Sequence, residues 1–477
     1  MGLDVDLVVP LPPKTRRRRW VRLLRNGAVA LVLLWLLAFV FATWDRHRAT
    51  EALRKRGMPA SYDEAVAAMH AKVGSETGAD LLRRAIKENE KLGRPGDFYV
   101  PAKHDFVADD ADRARLDALA RQCDPVMVLL NEALKHPPAP FTRSGEIGAD
   151  PALRSEEAQN LRSFARLMWP LIKRAVLRGD HDEAVRLLKV SFQIGERLST
   201  DELIIPQLIH VAILGVANAY AHAVLPAIKL NEKQFRELDE LLAGIERGLT
   251  FERALINERG AMATLFEDPE ALKSEMYSAV VGQVPEWMRG AGILAERGWV
   301  ELVRSPIGLP VRRRAAAYCL SVPDEVLALV DHPPPWPDEL QKKYEPWQST
   351  FNSDRLMLTA RSSSAFGNVY WAGLRARRRL VLTRLALRLK WHFQVHGRLP
   401  ERLEEVCDAT MTEIPLKWFE GRPLAYTKTD RSFRIDAEPS PADQVYGSAL
   451  AREDVRVGSG LLAKMEFAAP APVKKGP

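Results

Sequence analysis

The stretch "NGAVALVLLWLLAFVFATW", residues 26–44, holds nineteen residues without a charge, about the length a helix needs to cross the hydrocarbon core of a bilayer. Nothing else in the chain limits its architecture so strongly. Trp20 and Trp44 flank the run at positions where indole rings favour the membrane interface. Lys14, Arg16, Arg17, Arg18, Arg19, Arg22 and Arg25 precede it. That cluster predicts a cytoplasmic N-terminus, a single-pass inner-membrane anchor and a periplasmic body. Val40-Phe41-Ala42 also fits a leader-peptidase site, but the 25-residue basic lead favours an uncleaved anchor. Absence of a Gly-Phe junction and a glutamate at the start of the apolar run excludes a type IV pilin leader.

Charge gives little beyond topology. The chain of 477 residues carries +7, and the basic lead, set against Asp4 and Asp6, accounts for +5 of it. A body of +2 has no global basic face for neutralising phosphates, so nucleic acid is not an expected partner. Cys123, Cys319 and Cys407 match no zinc or redox spacing and read as small buried hydrophobes.

A second uncharged run, Leu203 to Ile228, tests the single-pass reading. Its Gln207, His210, Asn218 and His222 fall within about 120° of one another on a helix, a narrow polar strip on an apolar rod. The strip predicts a central helix of a soluble bundle, its polar side against water or partner side chains.

The chain divides into a basic tail (1–25), a transmembrane helix (26–44), a helical extracytoplasmic domain (45–300), a proline-rich connecting region (301–350), a long helix with a helix-hairpin module (351–440) and a flexible tail (441–477). The fold class is mainly α: an irregular helical bundle or solenoid, with a small C-terminal α+β module. "AVLRGDHDEAVRLLKVS" resembles one tetratricopeptide hairpin, with Ala175, Gly179 and Ala184 where two helices approach. No 34-residue period follows it. The arginines after Trp371 read as a solvated face of the long helix, and Arg312, Arg313 and Arg314 as a solvated surface run. In "WHFQVHGRLPERLEEV", Gly397 is placed to end a helix in the left-handed conformation, Pro400 to open the next turn, and "ERLEEV" to begin another helix. "LAYT" and "SFRID" then predict a β-hairpin.

The order of long helix, "HGRLPERLEEV", "IPLKWFEGRPLAY" and "SFRIDAE" resembles the C-terminal module of a group of uncharacterised membrane-anchored proteins of planctomycete and related bacteria. That module is itself similar to the globular end of type II secretion pseudopilins. Gly397, Pro400, Leu403, Pro415, Gly421, Pro423, Leu424 and Tyr426 carry the match. Lys417 and Trp418 depart from the group's Asp-Pro, and the aspartate-rich calcium end of pseudopilins is missing after Ile435. The resemblance implies a pilin-like tail module and brings no reaction with it.

The chain has no Gly-x-Gly-x-x-Gly, phosphate loop, His-Glu-x-x-His or Gly-x-Ser-x-Gly. His392 and His396 have metal-ligand spacing but lack a third ligand. Asp109, Asp110 and Asp112 read as an acid-rich helix start rather than a cation loop. No catalytic, cofactor-binding or metal residue is therefore assigned, and no cofactor is expected. The expected partners are the bilayer and an envelope protein. The favoured function is a non-enzymatic interaction or scaffold protein, ahead of an accessory component of a secretion or pilus-like assembly and of an envelope hydrolase.

Overall fold

The computed structural model describes residues 14–73, 75, 77–92, 106, 108–142, 151–268, 301–302, 304–321, 360–407, 424–430, 432–436 and 461–466. Among them are eleven α-helices and a small antiparallel sheet, so the mainly-α class stands. The chain packs as two units: residues 1–57 with 262–321, and residues 58–261 with 322–477.

In the first unit, α1 (Lys14–Lys55) is a single 42-residue helix. Only 6% of its apolar window is buried, and Val29, Leu31, Leu33, Leu34, Leu37 and Val40 all face outward. It is long and apolar enough to cross a membrane. Arg46 of α1 pairs with Glu267. Within the region expected to be a proline-rich connector, Pro306–Gly308 forms a 3₁₀ turn and Leu309–Leu320 forms a twelve-residue helix. Pro310 is tolerated there because the first turn of a helix needs no N–H donor. The "DHPPPWPDEL" and "YEPWQS" segments lie outside the described residues.

The second unit contains α2 (Tyr62–His70), α3 (Thr77–Lys91), α4 (Asp110–Ala133), α5 (Pro151–Leu177), α6 (His181–Glu196), α7 (Ile204–Val224), α8 (Glu232–Gly248) and most of α9 (Glu252–Glu267). Helix α10 is Leu309–Leu320 of the first unit, and α11 (Ala360–His396) returns to the second. Gly179, at φ +71°, turns α5 into α6. Ala175 and Ala184 are buried at this corner, and α5 and α6 pack as one helical hairpin.

The second apolar run is α7. By length and composition it too is able to cross a membrane, yet 61% of its apolar window is buried. It packs on α5, α6 and α11, with Ile213, Leu214, Tyr220 and Val224 in a core shared with Phe164, Phe192, Leu385 and Leu389. The tenfold contrast in burial with α1 makes α7 the central helix of the body.

At the end of α11, Gly397 has φ +69°, and its N–H still bonds to Phe393 O at 2.9 Å. "ERLEEV" does not begin an α-helix. Residues Leu403–Glu405 make a single 3₁₀ turn, because Leu399 and Leu403 on either side of Pro400 both enter the core. Glu405 Oε1 accepts the N–H groups of Glu401 and Arg402, each at 3.0 Å, and so closes the corner. The hairpin follows: β1 (Ala425–Lys428) pairs antiparallel with β2 (Ser432–Asp436), Tyr426 opposite Ile435. Lys428 Nζ reaches Glu401 Oε1 at 2.8 Å and Tyr426 Oη donates to Pro400 O at 3.3 Å. The segment expected to be a flexible tail contributes β3 (Leu461–Glu466), paired with β2. Pro415, Lys417, Trp418, Gly421 and Pro423 lie outside the described residues.

This corner carries a stability prediction. A Cβ at position 397 would meet nothing within 4 Å, so Gly397→Val should cost only the strain of positive φ, about 1 to 2 kcal/mol. Pro400→Ala loses a preset angle and should cost under about 1 kcal/mol. Thermal melts of the two variants test the difference; an unchanged melting temperature for Gly397→Val would sink the corner reading.

Candidate functional site

The polar strip of α7 is the start of a buried seam. Gln207 Nε2 donates to the carbonyls of Asp201 at 2.8 Å and Leu198 at 3.1 Å, and so closes the link between α6 and α7. His210 lies with Nε2 3.2 Å from Glu196 Oε1 and Nδ1 3.4 Å from Gln207 Oε1. Further along, Thr383 Oγ1 of α11 donates to Asn218 Oδ1 at 2.8 Å and lies 3.3 Å from His222 Nε2. All four strip residues thus have a polar partner, though His222 is only half-buried and Asn218 Nδ2 is left unbonded.

Past Thr383 the seam becomes ionic. Arg384 and Arg388, one turn apart on α11, face Asp239 and Glu246, two turns apart on α8. Arg384 Nη1 donates to Glu246 Oε2 at 2.9 Å and its Nε approaches Asp239 Oδ1 at 3.4 Å. Arg388 takes Asp239 two-pronged, Nε to Oδ1 at 2.9 Å and Nη2 to Oδ2 at 2.5 Å, and also donates to Val406 O at 3.2 Å. The formal charges cancel. Arg384 is only 3% exposed, which corrects the solvated face expected for this helix. What appears in the sequence as a surface arginine is held inside because two carboxylates on α8 neutralise it.

Lys390 is 5% exposed, with its Nζ 3.5 Å from Pro226 O. Burial, with help from Lys229, pushes its ammonium down to about 8 from 10.5. The unfolded chain therefore binds more protons than the folded one between those values, and stability should rise with pH across pH 8 to 10.5. Lys390→Met should remove that rise and stabilise the protein at pH 7 by on the order of 1 to 3 kcal/mol. Denaturation curves at pH 7 and pH 10 measure both effects; a Lys390→Met variant with the parent's pH slope would refute the assignment.

A second buried acid organises the proline-rich link after α4. The Asp201 carboxylate accepts Phe141 N–H at 2.8 Å and Thr142 N–H at 3.0 Å. Arg83 Nη2 donates to Phe141 O at 3.0 Å, and His70 Nε2 is 2.7 Å from Thr142 O. Burial pushes the Asp201 carboxyl up, against the opposing pull of the two backbone donors and Arg83.

These groups join helices and loops. Thr383 beside His222 has the atoms of a nucleophile and a base, but the hydroxyl is enclosed by the helix pair it joins. His392 and His396 pack at a 45° tilt with ring centroids 4.3 Å apart, and His392 Nδ1 lies 3.0 Å from Arg398 O; they finish α11. Asp109 is the N-cap of α4, its Oδ1 accepting Asp112 N–H at 2.7 Å. Among the described residues no group of three or more His, Cys, Asp or Glu is placed to hold a metal ion. Cys123 and Cys319 are buried and Cys407 is half-buried, all as free thiols. Burial pushes the Cys123 thiol up to about 11, which keeps it an unreactive thiol at neutral pH.

Asp239, Glu246, Arg384, Arg388, Thr383, Asp201 and Lys390 escaped the sequence reading. A signal existed for the ionic set: Asp239 and Glu246 lie seven apart, and Arg384 and Arg388 lie four apart, each pair on one helix face. Which two faces meet is not written in either helix alone. No family model matches the chain, and neither the curated proteins nor the solved structures contain a significant match to it.

Proposed function

We propose that the protein is a membrane-anchored scaffold whose helical body presents a binding surface to another protein of the cell envelope. The observation that carries this reading is the contrast between the two apolar helices. Helix α1 leaves its apolar surface uncovered while α7 is enclosed, which is what separates a lipid-facing helix from a core helix. The seam supports a non-enzymatic reading, since its imidazoles, carboxylates and buried hydroxyl join helices. The arginine cluster at the start of α1, ahead of its apolar run, supports a cytoplasmic N-terminus and a body outside the inner membrane.

Two measurements test it. The full chain should stay with membranes through alkaline carbonate washing, and release would overturn the anchor. With Cys407→Ser as background, a cysteine at the exposed Val128 should react with an impermeant maleimide on intact spheroplasts; protection there would reverse the orientation. Crosslinking in membranes should then trap an envelope protein on the body. The packing of a long helix, a glycine corner and an antiparallel sheet supports a second reading, an accessory part of a pilus-like assembly. It predicts that the trapped protein is an assembly component.

A further inference from the structure

The 3₁₀ turn before α10 lies against the middle of the apolar run of α1. Trp35 Nε1 donates to Ile307 O at 2.8 Å, and Trp35 stands near the centre of residues 26–44. A non-helical turn at that depth is tolerated by hydrocarbon only if its backbone groups are satisfied internally. The N–H groups of this turn are. Ser305 N–H bonds to Glu301 O at 3.0 Å, Gly308 N–H to Ser305 O at 3.0 Å and Ile307 N–H to Ser305 Oγ at 3.2 Å. Ser305 Oγ itself donates to Leu302 O at 2.6 Å, and Pro306 has no N–H to satisfy. On the approach to the turn, Arg304 and Glu301 are paired at 3.0 Å.

The side chains are arranged the other way round. Leu302 is 44% and Ile307 64% exposed, and Pro306 is also exposed. They continue the uncovered apolar surface of α1. After the Glu301–Arg304 pair, the next charges stand toward the end of the run: the Arg313 guanidinium lies 4.6 Å over the Phe39 ring and donates to Thr43 Oγ1 at 2.5 Å. Arg314 beside it is exposed, and Arg312 is buried with Nε and Nη1 lacking partners, which corrects the solvated run expected here. Arginine stems running along apolar rings toward the membrane surface have the arrangement of snorkelling side chains.

We propose that the Pro306–Gly308 turn and the start of α10 form a second membrane contact, a wedge seated in the leaflet nearest the C-terminal end of α1's apolar run. Pro306 and Ile307 lie among acyl chains, and Arg313 and Arg314 stand at the depth of anionic phospholipid phosphates. The inference rests on α1 being the anchor. Continuity with the uncovered apolar surface of α1 and the arginines at its end favour acyl chains and headgroups over a polypeptide as the occupant.

The test uses the full chain with Cys407→Ser, reconstituted in vesicles of phosphatidylcholine and phosphatidylglycerol. Single cysteines at Leu34, His47 and Ile307 carry an environment-sensitive fluorophore. Acyl-chain nitroxide lipids should quench the Leu34 and Ile307 probes severalfold, while aqueous iodide quenches the probe at His47. Quenching at Leu34 with iodide access at Ile307 would place the turn outside the bilayer and overturn the wedge with the anchor intact. Iodide access at both would overturn the anchor and the wedge together. Arg313→Glu with Arg314→Glu should reduce nitroxide quenching at Ile307 in these vesicles; an unchanged value would overturn the phosphate contact.

Discussion

Replacing Asp239 with alanine should be among the most destabilising single changes in the body, at about 3 to 5 kcal/mol, because it strands buried guanidinium charge. Arg388 would lose both prongs of its ion pair, and Arg384 would keep Glu246 alone. Asp239→Asn should recover part of the loss by keeping one acceptor oxygen. The sharper comparison removes the whole set: Asp239→Leu and Glu246→Leu with Arg384→Met and Arg388→Met should fall close to the parent, since a buried ionic group adds little over apolar residues of similar size. Denaturant melts of the full chain in detergent, followed by helical circular dichroism, separate the two results. A mild Asp239→Ala would mean that water reaches the quartet.

Asp201→Ala is the second large effect. It leaves the N–H groups of Phe141 and Thr142 without their acceptor, and buried unsatisfied donors cost about 1 to 3 kcal/mol each. A total of roughly 2 to 6 kcal/mol is expected on that basis. Asp201→Asn offers one oxygen and turns an amide N–H₂ toward the other donor, so it should restore about half. Hydrogen exchange localises the effect: Phe141 and Thr142 should lose protection in Asp201→Ala before the core of α7 does. Equal loss across both would assign Asp201 a global role instead.

What could be read from the sequence were features whose cause is local. Nineteen uncharged residues require a long apolar helix whatever surrounds them. The polar strip of α7 follows from spacing alone, as does the positive φ at Gly397. Features that depend on which faces meet were hidden. Arg384 lies 138 residues from Glu246, and on its own helix an arginine among leucines looks like a solvated side chain with its stem over apolar neighbours. "ERLEEV" has acids where a helix start favours them, but burial of Leu399 and Leu403 bends the chain toward the hairpin and leaves one 3₁₀ turn. The candidate seam was half visible: the α7 residues could be located, while Thr383 and the ionic quartet required the docking of α11.

That docking imposes a delay on the chain. Asn218 and its partner Thr383 are separated by 165 residues, so α7 is made long before the helix that covers it. At translation rates of about 5 to 20 residues per second the interval is on the order of 10 to 30 s. Throughout that time the side of α7 destined for α11 has its apolar residues uncovered and Asn218 and His222 without Thr383. Chains halted before residue 360 never leave this state, and they are the species that chaperones and proteases should recognise first.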